Sequence, residues 1–472
     1  MKKSLLVLAL ASSFAMADEG MWMPQQLPQI ATELKAAGLA LNPADLNKLT
    51  EFPAAAIVSL GGCSASFVSP NGLVATNHHC VYGSIAHNST PENDLLANGF
   101  LAKTLSDEVA AAPGSRIYVT KAVDNVSDKV IDAATAKLTG KKRIDAIEAN
   151  QKALVAECEK DEGHRCTVAA YYGSLEFYRI KQLEIKDVRL VHAPAEGVGK
   201  FGGDTDNWMW PRHTGDYSFY RAYVSPEGKS ADFSADNVPY KPDFHLTLAK
   251  DGVKEGDFVM ALGYPGRTNR HRLPSEVADT FDWSYPTTVQ YLGELLEIIG
   301  RETANDRDAA LKYASRVAGL NNVLKNRQGM LDSYAESDFL QRKQAEHQAL
   351  KDWVNSDRAN KQAYAKDLAA IEKLLEQQQS EGRSNFLLAN AAPRLLGTAR
   401  SLYRLANEST KPDAERKAGF QQRDLPRFQA FMAGMDRTFD VRVEKAMDLH
   451  NLKKYIAQPK KQRNADFDKA MG

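Results

Sequence analysis

The chain has no surplus of either charge: 60 Lys and Arg stand against 60 Asp and Glu in 472 residues. A nucleic-acid binder normally carries a basic excess that neutralises phosphates, so the balance argues against that class of partner. Four cysteines are too few for a disulfide-dominated scaffold, and a hydrophobic fraction of 43% is too high for a disordered chain. No apolar run reaches the roughly 20 residues needed to span hydrocarbon, so no membrane anchor is expected. Internal repeats and low-complexity tracts are also missing. The length then leaves room for two or three domains with buried cores.

The start of the chain reads as an export signal. Lys2 and Lys3 precede an apolar run from Leu5 to Ala11, and Ala15-Met16-Ala17 supplies the small-x-small pattern of a cleavage site. Residues 1–17 are expected to be removed, giving a periplasmic or secreted chain that begins at Asp18. In an oxidising compartment four cysteines make two bridges, and three pairings are formally open. Local pairing is preferred, Cys63 with Cys80 and Cys158 with Cys166, because each short loop already holds its ends near one another. The rival is a metal site from Cys63, His78, His79 and Cys80. It is disfavoured because adjacent histidines rarely face one ion and no second ligand cluster is present.

The chain has two textures. Up to about residue 289 it is rich in proline, glycine and turn signals, with strands expected at Gly61 to Val68, Leu73 to Thr76, Val188 to His192, Tyr217 to Val224, Phe244 to Ala249 and Asp257 to Tyr264. Between residues 125 and 160, Ile131, Ala134, Leu138, Ile144, Ile147 and Leu154 recur at helical spacing and suggest an insertion. Beyond residue 290 only 4 prolines remain, and Leu292, Leu295, Leu296 and Ile299, then Tyr364, Leu368, Ile371 and Leu375, mark apolar helix faces. The fold class is therefore α+β, a β-rich part over residues 18–270 followed by an all-α part over 271–472.

Two segments carry candidate chemistry. Ala75-Thr76-Asn77-His78-His79-Cys80 ends a hairpin, and a His fixed beside a bridged cysteine suits a general base. Residues 201–216 are a dense polar and aromatic run closed by Asp216 at the head of a strand, where a carboxylate can orient an imidazole. The bland reading of Asp216, a turn or strand-start acid, weighs about as much from sequence alone. Gly197-Val198-Gly199-Lys200-Phe201-Gly202 matches GxGxxG, but Gly203, Trp208, Trp210 and Pro211 make a poor helix behind it, so it reads as a glycine loop and not a dinucleotide site.

Cys63, the Ser69-Pro70-Asn71-Gly72 turn and Thr76-Asn77-His78-His79-Cys80 resemble the chymotrypsin-clan hairpin in which a disulfide clamps the catalytic His. Together with Asp18 to Pro24, the block Asp206 to Asp216 and the run Gly263 to Arg270, they resemble the bacterial exported dipeptidyl-peptidases of the dipeptidyl aminopeptidase BII and dipeptidyl-peptidase seven and eleven type. The resemblance implies that His79 is the general base, Asp216 its orienting acid, and Asn207, Trp208 and Asn322 the holders of the substrate's free α-amino group. It implies a chymotrypsin-like double β-barrel with a large helical cap, acyl transfer to serine without metal or organic cofactor, peptide substrates with a free N-terminus, and homodimers.

A serine nucleophile of this clan sits in a Gly-x-Ser-Gly type turn, and none is found. Ser84 and Ser174 each have one flanking Gly and lie between the other two triad members. The expectation is a chain whose second barrel and helical cap are incomplete, inactive alone, with the nucleophile and the determinant of side-chain preference encoded further on. The alternative is a non-catalytic periplasmic peptide-binding or interaction protein derived from that family.

Overall fold

A computed structural model of the chain describes residues 22–471, apart from 91, 267, 268, 270, 436 and 437. The expected signal peptide, the residues Asp18 to Met21 and three positions of the Gly263 to Arg270 run lie outside the described residues.

Among the described residues, eleven strands of the first half join one antiparallel sheet. They are β1 (Ile57–Ser59), β2 (Ser64–Phe67), β3 (Leu73–Thr76), β4 (Phe100–Leu101), β5 (Val109–Ala110), β6 (Ile117–Asn125), β7 (His164–Tyr171), β8 (Glu176–Ile185), β9 (Asp187–Ala193), β10 (Ser218–Val224) and β11 (Val238–Pro239). The order is β4-β9-β10-β3-β2-β1-β6-β8-β7, with β5 on β9 and β11 on β10. Alternation selects the inward face: Ala65 and Phe67 of β2, Val74 of β3, Ile117 and Val119 of β6, Val188 and Leu190 of β9, and Tyr220, Ala222 and Val224 of β10 meet in one core. Strands from distant places in the order share that core, so the sheet curls around it. Val81 and Ile85 of the His78–Asn88 helix complete it. The second half of the insertion is helical, with Gly140–Cys158 placing Leu154 and Ile147 against Val126, Val130 and Phe177, whereas Ile131, Ala134 and Leu138 fall outside any helix and Ile144 stays exposed. Its end is tied to β7 by the disulfide Cys158–Cys166, and the other disulfide is Cys63–Cys80.

Two expected strands do not form. Residues 244–249 and 257–264 run without strand pairing. A strand needs a neighbour for its backbone groups, and among the described residues these segments find isolated bonds instead, Leu246 N–H to the Phe67 carbonyl (2.8 Å), Asp257 N–H to the Lys254 carbonyl (3.1 Å) and Tyr264 N–H to Ser64 Oγ (2.7 Å). Leu248 (77%) and Val259 (69%) remain exposed, while Phe258 packs with Leu27, Leu39 and Leu46 of the N-terminal segment.

From Pro274 onward the described chain is helical, the long elements being Tyr285–Thr303, Arg307–Ala335, Phe339–Ser356, Arg358–Ala391, Arg394–Ser409 and Val441–Ile456. Leu292, Leu295 and Ile299 are buried as their spacing indicates, against Tyr313, Val443 and Met447. The second apolar stripe is only half covered: Tyr364 and Ile371 stay exposed, because the Arg358–Ala391 helix meets the Phe339–Ser356 helix along one side, with the Trp353 and Tyr364 rings 5.4 Å apart. Among the described residues no helix is long and apolar enough to cross a membrane.

Candidate active site

β3 stops at Thr76, Asn77 adopts an extended conformation (φ −80°, ψ 150°), and the His78–Asn88 helix begins. A chain that turns from strand to helix in one residue presents its first helical side chains at the sheet's end. The disulfide from Cys63 to Cys80 fixes that corner. Pairing of β10 with β3, Ser218 opposite Thr76, then sets Asp216 beside the helix start.

The contacts are direct. The His79 backbone N–H donates to Asp216 Oδ1 (3.0 Å), and the His79 imidazole Nδ1 meets Asp216 Oδ2 at 2.7 Å. Asn77 Nδ2 donates to the Asp216 carbonyl and to Oδ2, both at 3.2 Å. A carboxylate at a helix N-terminus is favoured by the unpaired backbone donors there, so Asp216 serves the helix and the imidazole together. The arrangement puts a proton on Nδ1 and leaves Nε2 as the basic nitrogen, which has no hydrogen-bond partner among the described residues. The His79 side chain is 68% exposed and Asp216 24%.

Hydrogen bonding to Asp216 raises the His79 pKa above its ordinary value of 6.5; burial works downward, the Asp216 charge adds to the rise and Arg212 subtracts from it. Burial alone would push the Asp216 carboxyl up, but the bonds from the His79 ring and backbone outweigh it and hold the group below its ordinary 3.8. The signs define a window. A raised His contributes stability that is complete below 6.5 and lost as pH rises through its folded value; a lowered Asp contributes above 3.8 and loses it as pH falls through its folded value. The pair is therefore strongest between those ordinary values. Asp216→Asn is expected to lower the titration midpoint of His79, read from its imidazole resonances between pH 4 and 9, to about 6.5 or below. An unmoved midpoint would remove Asp216 as its partner.

His78 points the other way. It is 1% exposed, its ring lies against Gly199, where a side chain would collide with it, and burial lowers its pKa. The first half of the glycine loop thus serves close packing, and the single helical turn Glu196–Gly199 ends at once. The two serines of interest are placed elsewhere. Ser84 is buried, accepting from Tyr220 Oη (2.6 Å) and the Ala112 N–H (3.0 Å), and Ser174 sits at φ 74° in the turn between β7 and β8. Cys63 and Cys80 lie near His79, with ligand atoms within 4.8 Å, but their sulfurs are bonded to each other and offer no thiolate, so this donor set does not suit a metal.

Asn207 and Trp208 come together with Asn322. Asn207 Nδ2 donates to Asn322 Oδ1 (2.9 Å), and the Trp208 indole Nε1 donates to Asn322 Oδ1 (2.9 Å) and to its carbonyl (3.1 Å). The loop that bears them is closed at its base by Gly215 N–H to the Val198 carbonyl (2.9 Å) and Thr214 Oγ1 to the Phe201 carbonyl (2.8 Å). Asn322 belongs to the Arg307–Ala335 helix, so this constellation joins the β-rich half to the helical half. Asn77 was not singled out by sequence; an Asn before a helix is a capping signal, though its side chain here donates to Asp216.

Residues 17–472 match the family described as Peptidase S46. The chain is 42% identical over 466 residues to the Asp/Glu-specific dipeptidyl-peptidase of Shewanella putrefaciens, covering 98% of this chain and 63% of that protein. It is 34% identical over 488 residues to dipeptidyl-peptidase 7 of Capnocytophaga gingivalis, covering 98% and 67%. The crystal structure of Porphyromonas endodontalis DPP11 in complex with the dipeptide Arg-Glu superposes with a TM-score of 0.77 at 29% identity, over 94% of this chain and 65% of that one. The chain thus spans about two thirds of the length of these relatives.

Proposed function

The chain belongs to the peptidase S46 family, and from that premise we propose that it carries the His–Asp part of a serine dipeptidyl-peptidase site together with part of a site for the substrate's N-terminal ammonium. The observation that carries the reading is the 2.7 Å contact between His79 Nδ1 and Asp216 Oδ2 at the mouth of a loop that also bears Asn207 and Trp208.

His79 Nε2 takes the proton of an attacking serine hydroxyl and returns it to the leaving amine, while Asp216 holds the imidazole in the tautomer that makes this work and stabilises the imidazolium. The substrate ammonium needs acceptors. Because Asn207 commits its Nδ2 to Asn322, its Oδ1 is the atom free to accept from an ammonium, and the half-exposed Trp208 ring adds cation–π attraction. Anchoring the terminal amine at a fixed distance from the base makes the product a dipeptide. No serine among the described residues meets His79, so we place the nucleophile in the third of the relatives' length that this chain does not span. In the same reading the curled sheet is the first barrel of a double-barrel peptidase, and residues 244–249 and 257–264 are segments of strand composition without a pairing partner among the described residues. Export to the periplasm, a helical cap over residues 271–472 and a homodimer belong to this proposal as well.

The purified chain is expected to bind a dipeptide amide with a free N-terminus in preference to its N-acetyl counterpart and to release no dipeptide from a fluorogenic substrate. Hydrogen bonds to charged groups contribute about 1.5–3 kcal/mol, so Asn207→Ala, which removes the accepting Oδ1, should reduce the preference roughly 10- to 150-fold in calorimetric titrations. Equal binding of the two ligands by the unsubstituted chain sinks the amine site, and turnover that survives His79→Ala sinks the assignment of the base. Binding of the free amine without any hydrolysis, even when the relatives' remaining third is supplied, favours the second reading, a peptide-binding protein.

A further inference from the structure

Trp208 has a φ of 59°, in the left-handed region. A bulky side chain adopts that conformation only where the surroundings hold it, because its Cβ crowds the backbone. The bonds from Trp208 and Asn207 to Asn322 are part of the restraint, but they act at the two residues that would themselves meet a ligand. The restraint begins earlier in the loop. Asn321 Nδ2 donates to Asp204 Oδ2 at 3.0 Å, and Lys325 Nζ donates to the Thr205 carbonyl at 2.5 Å.

These donors share one arc of one helix. Positions 321, 322 and 325 are i, i+1 and i+4, within about 100° of each other at 3.6 residues per turn. The adjoining arc is anchored: Val317, Leu320 and Leu324 pack on the core built by Leu292, Leu295 and Ile299. A helix fixed along one arc can present a rigid template on the arc beside it. Downstream, Asp206 lies against Gly202, whose φ of 78° and lack of a side chain let the carboxylate approach. Successive residues 204, 205, 207 and 208 are thus each held to the same helix face, which leaves the strained backbone at Trp208 little freedom to relax.

We propose that Asn321 and Lys325 are positioning residues of the ammonium site: by holding Asp204 and Thr205 they deliver Asn207 and Trp208 in the geometry that receives the substrate's terminal amine. The proposal rests on the amine-site reading above. Neither residue touches the ligand in this scheme, and their effect reaches it through the loop. Lys325 provides a test of sign. If its ammonium acted only through its charge, removing it would tighten the binding of another ammonium; as a positioning group, removing it loosens binding.

The experiment measures the binding of a dipeptide amide and of its N-acetyl counterpart to the full chain, together with the Trp208 indole N–H resonance and the thermal midpoint. Asn321→Ala and Lys325→Met are each expected to reduce the preference for the free amine about 5- to 10-fold, the loss of one hydrogen bond, and to shift the indole resonance without moving the thermal midpoint. Exchanging the pair, Asp204→Asn with Asn321→Asp, restores an amide-to-carboxylate bond and should return both the preference and the resonance toward those of the unsubstituted chain. An unchanged resonance and preference in Asn321→Ala and Lys325→Met, in a chain that does discriminate between the ligands, overturns the proposal. So does tighter ammonium binding by Lys325→Met. If the unsubstituted chain does not discriminate, the amine-site reading fails, while the indole resonance still reports whether the helix holds the loop.

Discussion

Glu444→Ala should lower the stability of the helical half by about 3 kcal/mol, near the bottom of the 3–5 kcal/mol expected when one partner of a buried charged pair is removed. Glu444 is 4% exposed at the start of the Val441–Ile456 helix. Its Oε1 accepts from Tyr313 Oη (2.7 Å), Arg316 Nη1 (3.0 Å) and Arg394 Nη1 (3.4 Å), so two helices converge on the carboxylate of a third. Truncation leaves the phenol of Tyr313, 1% exposed, without this acceptor. The two guanidiniums lose less, since the Arg316 side chain is 37% exposed and that of Arg394 26%, and water can replace the carboxylate. This partial access is the reason for the low end of the range. Glu444→Gln keeps an acceptor of the same shape; its bonds from the two guanidiniums stay charge-assisted and the one from Tyr313 becomes neutral, so less than half the loss is expected. Calorimetry or urea unfolding followed by helical circular dichroism reads the effect. A loss below about 1 kcal/mol for Glu444→Ala would show that the hub is idle, since that is what an exposed pair is worth.

Removing the Cys63–Cys80 bridge by paired alanine substitutions should cost a similar amount and act on His79 as well. The bridge closes a loop of 17 residues, and restricting such a loop in the unfolded chain is worth about 3 kcal/mol in the chain-entropy account. The Cys158–Cys166 loop of 8 residues should be worth about 0.7 kcal/mol less by the logarithmic dependence on loop length. The two bridges differ more in what they hold. Cys80 follows His79 in the first turn of its helix, and Cys63 precedes β2, so the first bridge joins the His79 turn to the start of a central strand. Its loss should broaden the His79 imidazole resonances and bring the titration midpoint closer to 6.5, because the bond to Asp216 depends on that corner. Loss of the second bridge should leave His79 unaffected. Equal responses of His79 to both removals would count against the clamp.

Much of the fold was legible because it depends on local pattern. The hairpin of β2 and β3, the strand β9, the helix in the second half of the insertion and the buried stripe of the Tyr285–Thr303 helix all follow from spacing and turn residues. Where a pattern needed a partner it was less informative. Residues 244–249 and 257–264 have strand composition but no neighbouring strand, and the stripe from Tyr364 to Leu375 has one flanking helix and stays half exposed. A family resemblance marks Asn322, but no pattern along the chain marks Asn321 and Lys325, which bond to the same loop.

The family, the two textures of the chain and the residue types available for chemistry follow from the order of residues along the chain. Which groups meet follows from packing in three dimensions. Asp216 reaches His79 because β10 lies beside β3 in a particular register, and Asn207 and Trp208 reach Asn322 because a helix more than a hundred residues later presents one arc to their loop. Register and helix phase are set by burial of the apolar faces, a property of the whole packed core that no stretch of sequence contains.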